Sequence, residues 1–177
     1  WRGRKSQLEQ GYVLQCDQLR PKSRGSVSLR SLNPHDRPLA RFNYLREPQD
    51  LKELIQGLRM MEDLLNQKAF DEFRGARIEP TAGLDSDAAL ASWIRAHAST
   101  DYHPSGTCRM GVDARAVVDA ELRVHGVAGL RVVDASVMPD IVSGNLNAPT
   151  QMIAERAADF ILGTPQLSPQ RAAFHFQ

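Results

Sequence analysis

The sequence lacks most of the features that would identify a function at once. Its two cysteines, Cys16 and Cys108, are too few and too far apart in sequence for a disulfide framework or a zinc site. A reducing, cytoplasmic setting is the default reading. Charge of one sign is missing too: 22 basic and 21 acidic side chains leave a net +1, which gives no electrostatic case for nucleic acid or an anionic membrane surface. No run approaches the roughly 18 apolar residues of a membrane span. There is no Gly-x-Ser-x-Gly elbow, so a serine hydrolase of the usual α/β kind has no nucleophile here. There is also no Gly-x-x-x-x-Gly-Lys phosphate loop, and no Gly-x-Gly-x-x-Gly after an N-terminal strand. The chain opens on Trp1 without an initiator Met, and it reads as a piece of something longer.

What is present is enough for one ordinary core: 177 residues, 42% of them hydrophobic. Three short runs read as strands of an antiparallel meander, Tyr12-Val-Leu-Gln-Cys16, Ser26-Val-Ser-Leu-Arg30 and Leu39-Ala-Arg-Phe-Asn-Tyr-Leu45. Turn-forming Pro, Gly, Asn and Asp lie between them. The basic cluster Arg20, Lys22, Arg24 reads as a solvated turn. From Asp50 the period changes to three and four, with Leu51, Leu54, Ile55, Leu58, Met61, Leu64 and Leu65 on one stripe that also takes in Met60. That predicts an amphipathic helix of about four to five turns, with Asp50 capping its start. A second, shorter helix begins at Asp85 or Ser86. Val117-Val-Asp119, Leu122-Arg-Val-His-Gly-Val127 and Leu130-Arg-Val-Val-Asp134 are β-branched runs broken by glycine, and residues 148–162 return to helical period until Gly163 and Pro165.

Two polar loops carry the candidate chemistry, Asp101-Tyr-His-Pro-Ser-Gly-Thr-Cys-Arg-Met-Gly111 and Ser143-Gly-Asn-Leu-Asn-Ala-Pro-Thr150. His103, ahead of Pro104, can exchange a proton near neutral pH from a restricted backbone. Asn145 and Asn147 each offer a donor and an acceptor, and Asn147 is also placed to cap the following helix. The N–H groups at that helix start can stabilise negative charge. Asp134 can accept from a sugar or polyol hydroxyl. His97 lies six residues before His103, which is not helical metal-pair spacing, and no metal site is expected.

The ordered run of Leu19-Arg-Pro-Lys-Ser-Arg-Gly25, Phe42-Asn-Tyr-Leu45, Tyr102-His-Pro-Ser-Gly-Thr-Cys-Arg-Met-Gly111, Gly129-Leu-Arg-Val-Val-Asp-Ala-Ser-Val-Met-Pro139 and Gly144-Asn-Leu-Asn-Ala-Pro-Thr150 resembles the C-terminal part of the glucose-methanol-choline (GMC) flavoprotein oxidoreductases, the choline and alcohol dehydrogenase branch above all. The resemblance covers about residues 11–163. It implies oxidation of a small-molecule alcohol to the aldehyde with FAD as cofactor and His103 as base. The second active-site position falls on Asn145, six residues after Pro139, with Asn147 as the competing candidate. Flavin contacts are implied at Asp134, Ala135, Asn147, Ala148, Pro149 and Thr150.

The implied fold class is α+β, a mainly antiparallel sheet flanked by helices. Residues 1–131 would form the substrate-binding domain, 132–163 would return to the FAD-binding domain, and 164–177 would be a tail. The glycine-rich FAD segment that this family carries near its N-terminus is missing, so this chain alone is expected to bind FAD weakly or not at all and to expose an apolar patch around Ile153, Phe160 and Ile161. The rival expectation is a non-catalytic binding or assembly domain that retains the fold without a flavin half.

Overall fold

The long apolar stripe forms α1, Pro48–Leu65, with Pro48 in the first turn, where its missing N–H costs nothing. The computed structural model describes residues 11–80 and 84–169. Two compact units divide the chain, Trp1–Asp101 and Tyr102–Gln177.

In the first unit α1 packs against α2, Asp87–His97, and the exposed Arg59–Asp87 ion pair joins the two helices. Ser86 caps α2 by accepting the Ala89 N–H at 3.2 Å, and Leu90 and Ile94, one turn apart, are buried. The apolar stripe of α1 is half-buried except at two members, Leu64, which is exposed, and Met60, which stands 71% exposed, contrary to their predicted place in the stripe.

Asp50 does not cap α1 either. The helix starts two residues earlier, at Pro48, and Asp50 lies in its first turn, only 1% exposed. Its Oδ1 accepts the Lys22 N–H at 2.7 Å and the Gln18 amide at 3.0 Å, while Oδ2 accepts the Ser23 N–H at 2.8 Å. The basic turn is thus anchored through its backbone, and the side chains of Arg20, Lys22 and Arg24 are exposed.

The predicted three-strand meander is two-stranded. β1, Ser26–Ser28, pairs antiparallel with β2, Leu39–Arg41, with Val27 opposite Ala40. Residues 12–16 instead run beside α1: Tyr12 meets the Phe70 ring at 6.0 Å, and Cys16 sits so close over Gly57 that any Cβ there would collide with its sulfur. Contact with α1 at Gly57 and with Phe70 replaces strand pairing for this run.

The second unit is built on Val118, Leu122, Val137 and Ala157, with Met110, Val117, Val124, Val132 and Ile153 packed against them. Ala157 and Ile153, one turn apart, belong to α3, Asn147–Leu162. The β-branched runs between 117 and 134 pair only at single positions, Met110 with Val118, Val118 with Val124 and Arg123 with Arg131. Their continuity is broken at a turn where Asp119 Oδ1 accepts the Glu121 and Arg123 N–H groups and Leu122 takes a positive φ of 65°. The expected exposed patch on α3 is present with other members: Ile161, Met152 and Leu162 are exposed, whereas Ile153 packs on the core and the Arg156 guanidinium lies over the Phe160 ring at 4.3 Å. The fold is α+β, with one two-stranded antiparallel sheet and three α-helices among the described residues. None of those helices is long and apolar enough to cross a membrane.

Candidate active site

All the residues singled out for chemistry lie in the second unit, and backbone hydrogen bonds tie the first polar loop to the turn after Asp134. The Cys108 N–H donates to the Ser136 carbonyl at 3.0 Å and the Met110 N–H to the Val137 carbonyl at 2.8 Å. The first polar loop is therefore laddered onto the 3-10 turn Ala135–Val137 that comes directly after Asp134. One residue on, the Gly111 N–H donates to the Val118 carbonyl, and the Gly111 carbonyl lies 3.0 Å from His125 Nε2. Gly111 has a φ of 158°, and a side chain there would crowd Ala116 and Arg109.

An ion pair closes the loop's far end, Arg109 to Asp113 at 2.6 Å. The Arg109 hydrogen bond, helped by the Arg115 N–H, holds the Asp113 carboxyl down to about 2. Arg109 is charged throughout, so this contact persists at any ordinary pH.

His103 Nε2 lies 2.8 Å from Asn145 Oδ1, so two residues 42 apart in sequence meet side chain to side chain. His103 is half-buried and Asn145 exposed. With the amide oriented this way Nε2 carries the hydrogen. Turned over, the same amide would donate from Nδ2 to a bare Nε2, the form able to accept a proton.

Asn147 takes no part in this contact. It is the first residue of α3, and its Oδ1 accepts the Gln151 amide at 3.1 Å along the helix surface. Nor does it cap the helix: the cap position is Leu146, and no side chain closes the end. A helix leaves its first N–H groups without intrahelical partners, and here those belong to Asn147 and Ala148, Pro149 having none. The Thr150 N–H and hydroxyl both return to the Leu146 carbonyl, at 2.9 and 2.6 Å.

Asp134 Oδ1 accepts the Ser136 N–H at 2.7 Å and so shapes the turn that carries Ala135. Two shallow grooves open elsewhere, about 350 Å³ beside α1 and α2 and about 500 Å³ around the turn at 123–131. Neither includes His103 or Asn145.

The ladder between 108–110 and 136–137 is invisible in the sequence, because pairing between loops has no local signature. Gly106 and Gly111 are its only trace. Equally unannounced is the φ of 62° at Tyr102, beside His103.

Comparison with known proteins identifies the family. The family model of the GMC oxidoreductase C-terminal region matches residues 21–154. An oxygen-dependent choline dehydrogenase of Klebsiella pneumoniae (strain 342) is 45% identical over 175 residues, 99% of this chain and 32% of that protein. Among solved structures, pyridoxine 4-oxidase from Mesorbium loti superposes with a TM-score of 0.77 at 32% identity, covering 84% of this chain and 29% of that one. A formate oxidase of Aspergillus oryzae RIB40, a protein that carries FAD, superposes at 0.78 with 31% identity, covering 82% of this chain and 26% of that one. The chain thus spans about a third of the length of the curated relative it matches, and it belongs to the GMC oxidoreductase family.

Proposed function

We propose that this chain supplies the substrate-facing part of an FAD-dependent enzyme that oxidises choline or another primary alcohol to the aldehyde. His103 is the base and Asn145 the hydrogen-bond partner of the alcohol oxygen. The observation that carries this reading is the 2.8 Å contact between His103 and Asn145, formed between two loops of which the first is laddered to the Asp134 turn.

The residues fit one end of a flavin. The N–H groups of Asn147 and Ala148, at a helix start that no side chain closes, suit an electron-rich edge. Asp134 has one carboxylate oxygen engaged with Ser136, and its Oδ2 makes no hydrogen bond among the described residues, so a hydroxyl can approach it. Ala135 has no bulk to obstruct that approach, and Pro149 and Thr150 hold the first turn of α3 in place. FAD, when bound, supplies the acceptor for the hydride that leaves the carbinol carbon.

The chain's own residues manage the proton. His103 removes it from the hydroxyl, and Asn145 Nδ2 donates to the oxygen as alkoxide character develops. In this reading residues 1–131 form the substrate-binding part, 132–163 return toward a flavin domain, and 164–177 are a tail. The exposure of Asn145 is consistent with a cover contributed by FAD and by the portion of such enzymes that this chain does not span.

His103→Ala, made in the flavin-loaded protein that contains this chain, should lower alcohol turnover by about 10²–10⁴-fold, the usual worth of a general base. The flavin absorbance of the variant should be that of the parent. Parental turnover in the variant would remove His103 from the base role.

A further inference from the structure

The near balance of 22 basic and 21 acidic side chains conceals a segregation. Residues 18–46 hold seven basic side chains against one acidic, Asp36, and all seven are exposed. This stretch is the β1–β2 ribbon with its flanks, and five of the six strand residues are themselves exposed. Among the described residues no carboxylate is ion-paired with Arg30, Arg37, Arg41 or Arg46.

The strand register carried past Ser28 and Leu39 brings Arg30 opposite Arg37, whose carbonyl accepts the Arg30 Nε–H at 3.3 Å. The turn beyond them is closed by its own side chains. The Ser31 hydroxyl donates to Asp36 Oδ2 at 2.6 Å, and the Asn33 amide to Asp36 Oδ1 at 3.2 Å. The one carboxylate of the stretch is thereby engaged inside the turn. Leu32 is left 97% exposed, and Leu29, next to Arg30, 81% exposed.

A single exposed leucine needs no explanation. Two at the end of a ribbon, interleaved with arginines that no carboxylate neutralises, form a pattern with a matching partner. Leucine gains by entering the boundary between lipid headgroups and acyl chains, where arginine can lay its apolar stem and turn its guanidinium to a phosphate. A nucleic acid would use the cations and gain nothing from the leucines. The exposed Phe42 and Tyr44 rings are stacked on one another at 5.2 Å and leave no gap between them for a base.

We infer that the tip of the β1–β2 ribbon, residues 29–37, docks on an anionic phospholipid surface, with its leucines in the interface and its arginines on the headgroup phosphates. Such docking needs no membrane-crossing helix, and it is independent of the role of His103.

Vesicles of phosphatidylcholine and phosphatidylglycerol in a two-to-one ratio should sediment the 177-residue chain at low salt, and pure phosphatidylcholine should not. Added salt should weaken the binding by screening. Arg30→Gln combined with Arg37→Gln should weaken it about 25-fold, at about fivefold for each basic residue near an anionic surface. Leu32→Ser keeps every charge and should still weaken it about tenfold, through lost apolar burial. Both variants should keep the parental far-UV circular dichroism, since the three side chains are exposed. Lys68→Gln combined with Arg95→Gln removes the same charge from exposed positions outside the ribbon and should leave binding as in the parent.

Equal binding to both kinds of vesicle, or none to either, overturns the inference. Parental binding by Leu32→Ser also overturns it, because only adsorption of charge would remain, and so does an equal loss in the Lys68 and Arg95 variant. Binding to a single-stranded oligonucleotide without binding to the vesicles would make the partner a nucleic acid instead. A flavin-loaded protein that contains this sequence should show the same order of affinities. If it does not sediment with the anionic vesicles, the rest of that protein covers the ribbon tip and the inference fails.

Discussion

Asp50 shows what one buried carboxylate does for the first unit. Burial pushes its carboxyl up, but hydrogen bonds from the Ser23 hydroxyl, the Lys22 and Ser23 N–H groups and the Gln18 amide outweigh that and leave it below the ordinary carboxylate range. A carboxyl lowered on folding stabilises the protein above its unfolded value, near 4, and the contribution is lost as pH falls through the lowered folded value. Asp50→Asn should therefore lower the urea midpoint clearly at pH 6. The gap to the parent should narrow as both are titrated below about pH 4, where the protonated parent comes to resemble the amide. Asp50→Ala, which leaves two N–H groups without their acceptor, should cost on the order of 2–3 kcal/mol at pH 6 in the same assay. The Arg109–Asp113 pair is a useful contrast. Its Asp113 is held lower still, to about 2, yet the contact is exposed to solvent and adds little stability. Its value lies in fixing the end of a loop.

At the scale of elements the helices were legible and the strands much less so. α1 and α2 announce themselves because a 3.6-residue period is written in consecutive side chains such as Leu51, Leu54, Ile55 and Leu58. A strand is completed only by its partner, and residues 12–16, equally strand-like in composition, found Gly57 and Phe70 instead. Caps divided the same way. Ser86 was one of two residues read as starting α2, and it is the cap. Ser86→Ala should cost about 1 kcal/mol, seen as an earlier denaturant midpoint with an unchanged slope. Asp50 and Asn147 also looked like caps, but tertiary partners drew Asp50 to another loop and Gln151 engaged Asn147. α3 alone among the three long helices begins with neither a side-chain cap nor an acidic residue in its first turn. That is the feature expected of a helix start left open for an electron-rich ligand.

For the molecule as a whole, the two loops that stood out by their glycine and proline content do converge, and they do so within one unit. His103 and Asn145 were legible as candidates because histidine and asparagine in restricted loops are chemically conspicuous. The choice between Asn145 and Asn147 was not, since a count along the sequence cannot say which amide a fold turns toward a ring. Tyr102 was invisible for a similar reason: φ is set by the tertiary structure, and nothing in an aromatic side chain forecasts a left-handed backbone. The chain spans about a third of the curated relative it matches, so the proposed chemistry is tested on the pair it does contain. The direct test is the rate at which a primary alcohol reduces the flavin, without oxygen, in a flavin-loaded protein that contains this sequence with His103→Ala, Asn145→Ala or both. Residues that act on one alcohol oxygen as a unit are non-additive, so the double variant should be scarcely slower than His103→Ala alone. Losses that multiply, or an Asn145→Ala enzyme that reduces its flavin at the parental rate, would contradict the account.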